Sequence, residues 1–113
     1  MNPADLVLVR FPFTDLATTK KRPALLLGRV ARSPRNRLAT VAMITSQLES
    51  PALDGDVRLS DWETAGLLHP SLLRLAKVAT VDEDLVDKPI GRLSKRDLAA
   101  ARAAFRGLFA AWV

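Results

Sequence analysis

Residues 20–28 read Lys-Lys-Arg-Pro-Ala-Leu-Leu-Leu-Gly, three successive cations followed directly by an aliphatic run that ends at glycine. A short aliphatic run bounded by turn residues predicts a buried strand. Pro23 suits its start, because the first residue of a strand need not donate to the ladder. We therefore predict a strand over residues 22–30. Arg22 then lies at the strand end, where a rigid backbone carries a permanent positive charge.

Further short strands are predicted on both sides of this stretch. A β-rich run over residues 5–11 forms the strand that precedes it, and a polar loop over residues 13–21 connects the two. The remaining strands are expected at residues 38–45, at 57–59, within 71–81 as one long or two short strands, and at 89–93. Residues 61–66 are predicted to form one turn of helix, and residues 82–86 an acidic turn.

A C-terminal helix is the most clearly marked element. Ser94 is suited to its N-cap, and Asp97 occupies the place of the acidic residue in a shortened capping box. Apolar side chains then recur at spacings of three and four up to about residue 111, as one stripe made of Leu98, Ala101, Phe105, Leu108, Phe109 and Trp112. Several short strands followed by one helix predict a single, mostly β (α+β) domain over residues 1–113, an SH3-like small barrel with a C-terminal helix. A mixed α+β sandwich is the alternative.

Composition limits the possible functions. The 113 residues contain 17 Lys and Arg against 12 Asp and Glu, a net charge of +5, which favours a polyanionic partner such as nucleic acid or an acidic protein. With no cysteine and one histidine, disulfides, thiolate metal sites and histidine clusters are not expected. Apolar runs are too short to span a membrane, and no secretory signal is recognised, so we expect a cytoplasmic protein.

Two further stretches carry polar groups. Residues 29–37 contain four arginines, which form either a solvated basic loop or a patch that tracks phosphates. Thr45, Ser46 and Gln47 end a predicted strand, as Arg22 begins one. We do not expect strand order alone to bring Arg22 and Thr45 together, so sheet curvature or topology would have to do so.

Five short motifs in series resemble the MazF/PemK family of toxin endoribonucleases, and most closely its PemK-like branch. They follow one another along nearly the whole chain at Phe11–Asp15, Lys20–Leu25, Ile44–Gln47, His69–Ser71 through Thr80–Asp82, and Ile90–Ser94. The resemblance implies an SH3-like barrel, a homodimer, and cleavage of single-stranded RNA at short sequences without a metal or other cofactor. It also implies inhibition by an acidic cognate antitoxin.

The resemblance also implies site residues. The arginine of the Arg-Pro pair and the threonine of the Thr-Ser pair are catalytic in the family, which carries over to Arg22 and Thr45. Ser46 and Gln47 would line the RNA site. Lys20, Lys21, Asp15, His69 and Ser71 are further candidates for RNA binding or support. Asp15 is equally suited to capping its own loop, and Ser71 to a turn.

Two positions depart from the family pattern. Ala4 stands where many members have glycine. The loop before Arg22 offers Thr18, Thr19 and two lysines where many members have an acidic residue, so the partner in proton transfer is left open between a lysine of lowered pKa and His69. A non-catalytic binding module on the same barrel, either a gyrase-poison relative or an RNA-binding adaptor, is the alternative function. An inactive homologue is a third possibility.

Overall fold

The computed structural model describes residues 1–12, 19–31, 33 and 35–112. Within these residues the chain forms six strands, one α-helix and two short 3-10 turns. The strands are β1 (Asp5–Pro12), β2 (Thr19–Ala31), β3 (Arg37–Thr45), β4 (Asp56–Arg58), β5 (Leu72–Asp82) and β6 (Val86–Arg92); the helix α1 spans Lys95–Leu108, and the 3-10 turns are Glu83–Leu85 and Ala110–Trp112.

The strands form one antiparallel sheet in the order β4-β5-β3-β2-β1-β6. Side chains from five strands and from α1 converge on one core, which includes Leu6, Leu25, Ala42, Val57, Leu73 and Ala101. A second core, including Val7, Ala24 and Val41, is buried on the opposite face. A sheet that wraps around its own side chains and carries one helix confirms the predicted small barrel with a C-terminal helix, rather than a sandwich.

Several predicted boundaries were wrong. Lys20 and Lys21 belong to β2, not to the preceding loop, because their backbones pair with Phe11 and Arg10 of β1. The rest of that loop, residues 13–18, lies outside the described residues. The stretch 71–81, predicted as one long or two short strands, forms one long strand, β5, which confirms the first alternative; its pairing shifts between Val78 and Arg74.

The predicted single helical turn at residues 61–66 is present as one i to i+4 hydrogen bond, and it does not continue as a regular helix. Ala65 N donates to Asp61 O at 3.1 Å, and Leu67 N donates to Trp62 O at 3.0 Å. Gly66 has φ +93°, and a Cβ there would lie 2.1 Å from Ile90 O. The segment therefore ends at a residue that must be glycine, because both the backbone conformation and the space exclude a side chain.

The helix begins where it was predicted but packs along only part of its stripe. Ser94 Oγ accepts from Asp97 N at 3.2 Å, which confirms the N-cap. Ala101 is buried and Leu98 and Leu108 pack on the core, whereas Phe105 and Phe109 are both 41% exposed. The end of the stripe, which includes Trp112, is therefore open to solvent. Among the described helices, none is long and apolar enough to cross a membrane.

Ala4 adopts an unusual backbone conformation just before β1. Its φ of 74° lies in the left-handed region, which costs a residue with a Cβ roughly 1–2 kcal/mol. Ala4 N donates to Leu26 O at 2.9 Å, which holds the conformation in place. A glycine would adopt this backbone without strain.

Candidate functional site

A cavity of about 360 Å³ opens where the start of β2, the end of β3, β6 and the segment before β5 meet. Its lining combines two cations, hydroxyl and amide side chains, and apolar residues. The lining residues are Leu8, Arg22, Pro23, Ile44, Thr45, Ser46, Gln47, Gly66, Leu67, Leu68, His69, Ser71, Lys88 and Ile90. Six of the nine candidates from the sequence therefore share one cavity.

Arg22 and Thr45 are brought together by antiparallel pairing itself. The register of β2 with β3 runs to Ala24 opposite Met43; Arg22 stands two residues before Ala24, Thr45 stands two residues after Met43, and both line the cavity. The start of one antiparallel strand lies beside the end of its neighbour, so the expectation that curvature or topology was needed was wrong. Thr45 Oγ1 accepts from Gln47 N at 3.1 Å, which leaves its own hydrogen available to a ligand.

The other polar candidates occupy the rim and the far wall. Ser46, Gln47 and His69 are exposed, whereas Ser71 is only 4% exposed. Ser71 Oγ donates to His69 O at 2.7 Å. Ser71 therefore fixes the backbone that presents His69, while the imidazole lines the cavity.

Two candidates, Lys20 and Lys21, lie elsewhere. Lys21 Nζ lies 2.6 Å from Asp87 Oδ2, and this hydrogen bond lowers the pKa of Asp87. Lys20 is exposed on β2, and neither lysine lines the cavity. Asp15 falls outside the described residues. Lys21 therefore pairs with a carboxylate far along the chain instead of lining the cavity, and no pattern in the sequence indicated that pairing.

Lys88 lines the cavity and was not among the candidates from the sequence. It lies on β6, where its backbone pairs with that of Leu8. Only the register between the first and last strands shows that it faces the same cavity as Arg22. The described lining residues include Arg22 and Lys88, which are cations, and no carboxylate. A cavity of this kind attracts anions.

The turns at residues 60–67, which lead into the cavity wall, are held by the N-terminus of α1. Asp97 is 2% exposed; it accepts from Ser60 N at 2.9 Å and from Asp61 N at 2.8 Å. Its carboxylate thus serves this segment rather than a capping box, which corrects the sequence prediction. The resulting contact ties the wall to the helix.

Asp61 completes this clamp. Its carboxylate accepts from Arg96 Nε at 2.7 Å and from Ser94 Oγ at 2.6 Å. These two hydrogen bonds lower the pKa of Asp61 from 3.8 to about 2, and the one from Arg96 has the larger effect. We use the term wall clamp for Asp61, Ser94, Arg96 and Asp97.

The arrangement is suited to a phosphodiester. A guanidinium can hold two oxygens of one phosphate at once, and a hydroxyl can donate to the same group. The exposed, apolar part of the lining is a surface against which a flat, uncharged chemical group can pack. Within the described residues, no group of three or more His, Cys, Asp or Glu side chains is placed to hold a metal ion.

Comparisons with known proteins identify the family and the fold. A family model for the PemK-like, MazF-like toxin of type II toxin–antitoxin systems matches residues 2–109. No curated protein matches the chain. Among solved structures, toxin MazF-mt6 of Mycobacterium tuberculosis is 24% identical, with a TM-score of 0.70 over 94% of this chain and 96% of that one.

Two further solved structures share the fold. MazF of Deinococcus radiodurans is 17% identical, with a TM-score of 0.65 over 97% of this chain and 96% of that chain. A mycobacterial endoribonuclease in complex with its cognate antitoxin is 11% identical, with a TM-score of 0.70 over 97% and 95%. At such identities the likeness shows the fold, whereas the family match covers nearly the whole chain. The chain belongs to the PemK-like, MazF-like toxins of type II toxin–antitoxin systems.

Proposed function

We propose that this toxin is an endoribonuclease that cuts single-stranded RNA at short sequences without a metal ion. Arg22 and Thr45 are its catalytic residues. The observation that supports this function best is the cavity that both residues line together with Lys88, with no carboxylate among the described lining residues. Related structures include an endoribonuclease from a mycobacterial species.

In the proposed reaction the 2′-hydroxyl oxygen of a nucleotide attacks its own 3′ phosphorus. The new O2′–P bond forms as the P–O5′ bond breaks, which leaves a 2′,3′-cyclic phosphate and a free 5′-hydroxyl. One proton leaves the 2′-hydroxyl and one is delivered to the departing 5′ oxygen. No water or metal ion enters this balance.

Arg22 acts by electrostatics in this scheme. Its guanidinium stays charged through the reaction and contacts the two non-bridging oxygens as negative charge builds on phosphorus. Thr45 donates its hydroxyl hydrogen to the same phosphate, since its oxygen already accepts from Gln47 N. Ser46 and Gln47, exposed on the rim, contact the RNA beside the cleaved bond.

His69 is the preferred candidate for proton transfer. Imidazole donates and accepts protons near neutral pH, and His69 lines the cavity. The alternative bases are less well placed, because Lys21 pairs with Asp87 and Lys20 lies outside the lining. A lysine can act as a base only where its surroundings favour the neutral amine.

We further propose a homodimer that is inhibited by an acidic antitoxin. The net charge of +5 supports an acidic partner, and one related structure is an endoribonuclease bound to its cognate antitoxin. Phe105, Phe109 and Trp112 leave an apolar surface on the last turns of the chain, which supports association. RNA as substrate implies that the toxin acts in the cytoplasm. Sedimentation tests the dimer, because a single species of monomer mass would contradict it.

The decisive experiment for the function uses long single-stranded RNA. The purified protein is incubated with RNAs of varied sequence in EDTA, and the new ends are mapped and tested for a 5′-hydroxyl. Cleavage at a short recurring sequence is expected. RNA that stays intact across all sequences, or cleavage that disappears with EDTA, would contradict the proposed reaction.

One observation favours a second candidate function, that of a gyrase-poison relative. Such proteins act through a tryptophan near the end of a C-terminal helix, and Trp112 is 88% exposed in the 3-10 turn that follows α1. This function predicts inhibition of gyrase by the intact protein and loss of that inhibition in Trp112→Ala, with RNA left whole. RNA cleavage without gyrase inhibition would exclude it.

A further inference from the structure

Leu68 is a large apolar side chain that the fold leaves in solvent beside the cavity. It is 85% exposed, and among the described large hydrophobic side chains only Trp112 is more exposed. Its neighbour Leu67 is only 8% exposed and belongs to the core. Both line the cavity. A lone exposed leucine is ordinary on a protein surface, but this one borders the candidate site.

The segment that carries Leu68 is fixed on both sides. Before it, the Gly66 backbone packs against the Ile90 carbonyl, and Leu67 N donates to Trp62 O at 3.0 Å. After it, the His69 carbonyl accepts from Ser71 Oγ at 2.7 Å. Leu68 is therefore exposed on a backbone that is held in place on both sides, and a binding contact needs support of this kind.

The cavity lining has a charged part and an apolar part, just as a nucleotide has a charged phosphate and a flat base. Arg22 and Lys88 supply positive charge for a phosphate, whereas Leu8, Leu68 and Ile90 supply apolar surface. Proteins bind single-stranded RNA by pairing cations with the backbone and by packing side chains against the flat faces of the bases. A base held over Leu68 would cover a side chain that otherwise faces water.

We propose that Leu68 contacts the face of the base next to the cleaved phosphate and thereby helps to set the sequence at which RNA is cut. The placement of this base beside the cleaved phosphate rests on the proposed endoribonuclease function. The contact itself concerns binding and does not depend on cleavage. Leu68 is then a specificity-determining residue that takes no part in proton transfer.

Leu68→Ala tests the contact in two measurements. In the first, a short RNA with 2′-O-methyl groups, which cannot be cleaved by 2′-hydroxyl attack, is titrated with protein and followed by fluorescence anisotropy. Leu68→Ala is expected to bind roughly 5- to 10-fold more weakly, and Leu68→Phe at least as tightly as wild type, because a ring stacks on a base. In the second, cleavage ends are mapped on long RNA. Leu68→Ala should raise KM more than it lowers kcat, and should relax the base preference at one position beside the cut.

Leu53→Ala is the matched control, since Leu53 is 39% exposed but does not line the cavity. It should change neither affinity nor base preference. Wild-type affinity in Leu68→Ala, or an equal loss in Leu53→Ala, would overturn the assignment of Leu68. Binding that depends on Leu68 in a protein that cleaves no RNA would support the contact and overturn the proposed function alone.

Discussion

The two ends of the β2–β3 pair both carry basic residues, but their surroundings differ. At the cavity end, Arg22 and Lys88 line a cavity without a carboxylate among its described lining residues. At the far end, Arg35 and Arg37 line a cavity of about 380 Å³ together with Glu83 and Asp84. The number of cations in a stretch of sequence is therefore a poor guide to where an anion will bind.

The cause of the difference is one short acidic turn. Glu83–Leu85 folds back beside the far end, where Glu83 accepts from Arg29 Nε at 3.1 Å and from Arg29 Nη2 at 2.5 Å. Of the two possibilities for residues 29–37, this pairing favours a solvated loop over a patch that tracks phosphates. Exposed ion pairs contribute little to stability, but they do cancel the field that would attract RNA.

The largest effect is expected from arginine substitutions at the two ends. Arg22→Ala should lower RNA cleavage by roughly 100- to 1,000-fold, because it removes the charge aimed at the phosphate. Arg29→Ala, a matched loss of one arginine from the same strand, should leave cleavage within about threefold. Rates on one RNA, with circular dichroism to verify folding, provide the measurement. Comparable losses in both variants would remove the distinction between the ends.

The next effect concerns how firmly each end is held. Asp97→Ala should lower the free energy of unfolding by about 2–3 kcal/mol, because Ser60 N and Asp61 N lose a buried charged acceptor. Glu83→Ala at the far end should cost less than about 1 kcal/mol, since it removes a partly exposed pair. Urea denaturation gives both values. A smaller loss for Asp97→Ala than for Glu83→Ala would contradict the role of the wall clamp.

Local patterns in the sequence were sufficient for most of the fold. Alternation and turn residues located the strands within a few positions, and Ser94 located the start of α1. What they missed depends on distant partners. Asp97 was predicted to serve its own helix, but it bonds to residues more than thirty positions earlier, which no local pattern can show.

The candidate site was predicted in a different way. Arg22 and Thr45 came from a resemblance, and their proximity follows from the strand register, which the sequence did not specify. Lys88 was missed because only its pairing with Leu8 turns it toward the cavity. Lys21 was included because it neighbours Arg22, although Asp87 engages it. Adjacent residues of a strand point to opposite faces, so neighbours in sequence need not share a site.

A smaller loss is expected from threonine substitutions. Thr45→Ala should lower cleavage by about 10- to 50-fold, the effect of one hydrogen bond to a charged group, and Thr45→Ser should restore most of it. Thr40→Ala removes the hydroxyl that lies 3.0 Å from Thr80 Oγ1, further along the same strand, and should leave the rate within about twofold. Single-turnover rates distinguish them. Full activity in Thr45→Ala would exclude its proposed contact with the phosphate.

Lys88 should show a modest effect that depends on salt. Binding of an uncleavable single-stranded RNA to Lys88→Ala should be a few-fold weaker, and the slope of log affinity against log salt should fall by about 0.7, the value for one phosphate contact. Arg37→Ala, at the far end, should leave the slope unchanged. Anisotropy titrations at several salt concentrations measure both. A slope that changes equally in the two variants would mean that RNA contacts both ends.

The smallest expected effect is the loss of the wall clamp's contribution to stability at acidic pH. Hydrogen bonds from Arg96 and Ser94 lower the pKa of Asp61 to about 2 from 3.8. A carboxyl whose pKa is lower in the folded state stabilises the protein above its unfolded value, and loses that contribution as pH falls through the folded value. The stabilisation should therefore be complete above about pH 4 and disappear between about pH 4 and 2.

Asp61→Asn isolates this contribution from that of the other carboxyl groups. Urea midpoints of wild type and Asp61→Asn should differ at pH 5 and converge as pH approaches 2. Arg96→Ala removes the main cause of the lowered pKa, so its convergence with a double variant that also carries Asp61→Asn should occur at higher pH. A difference between wild type and Asp61→Asn that stays constant down to pH 2 would mean that this difference does not come from the ionisation of Asp61.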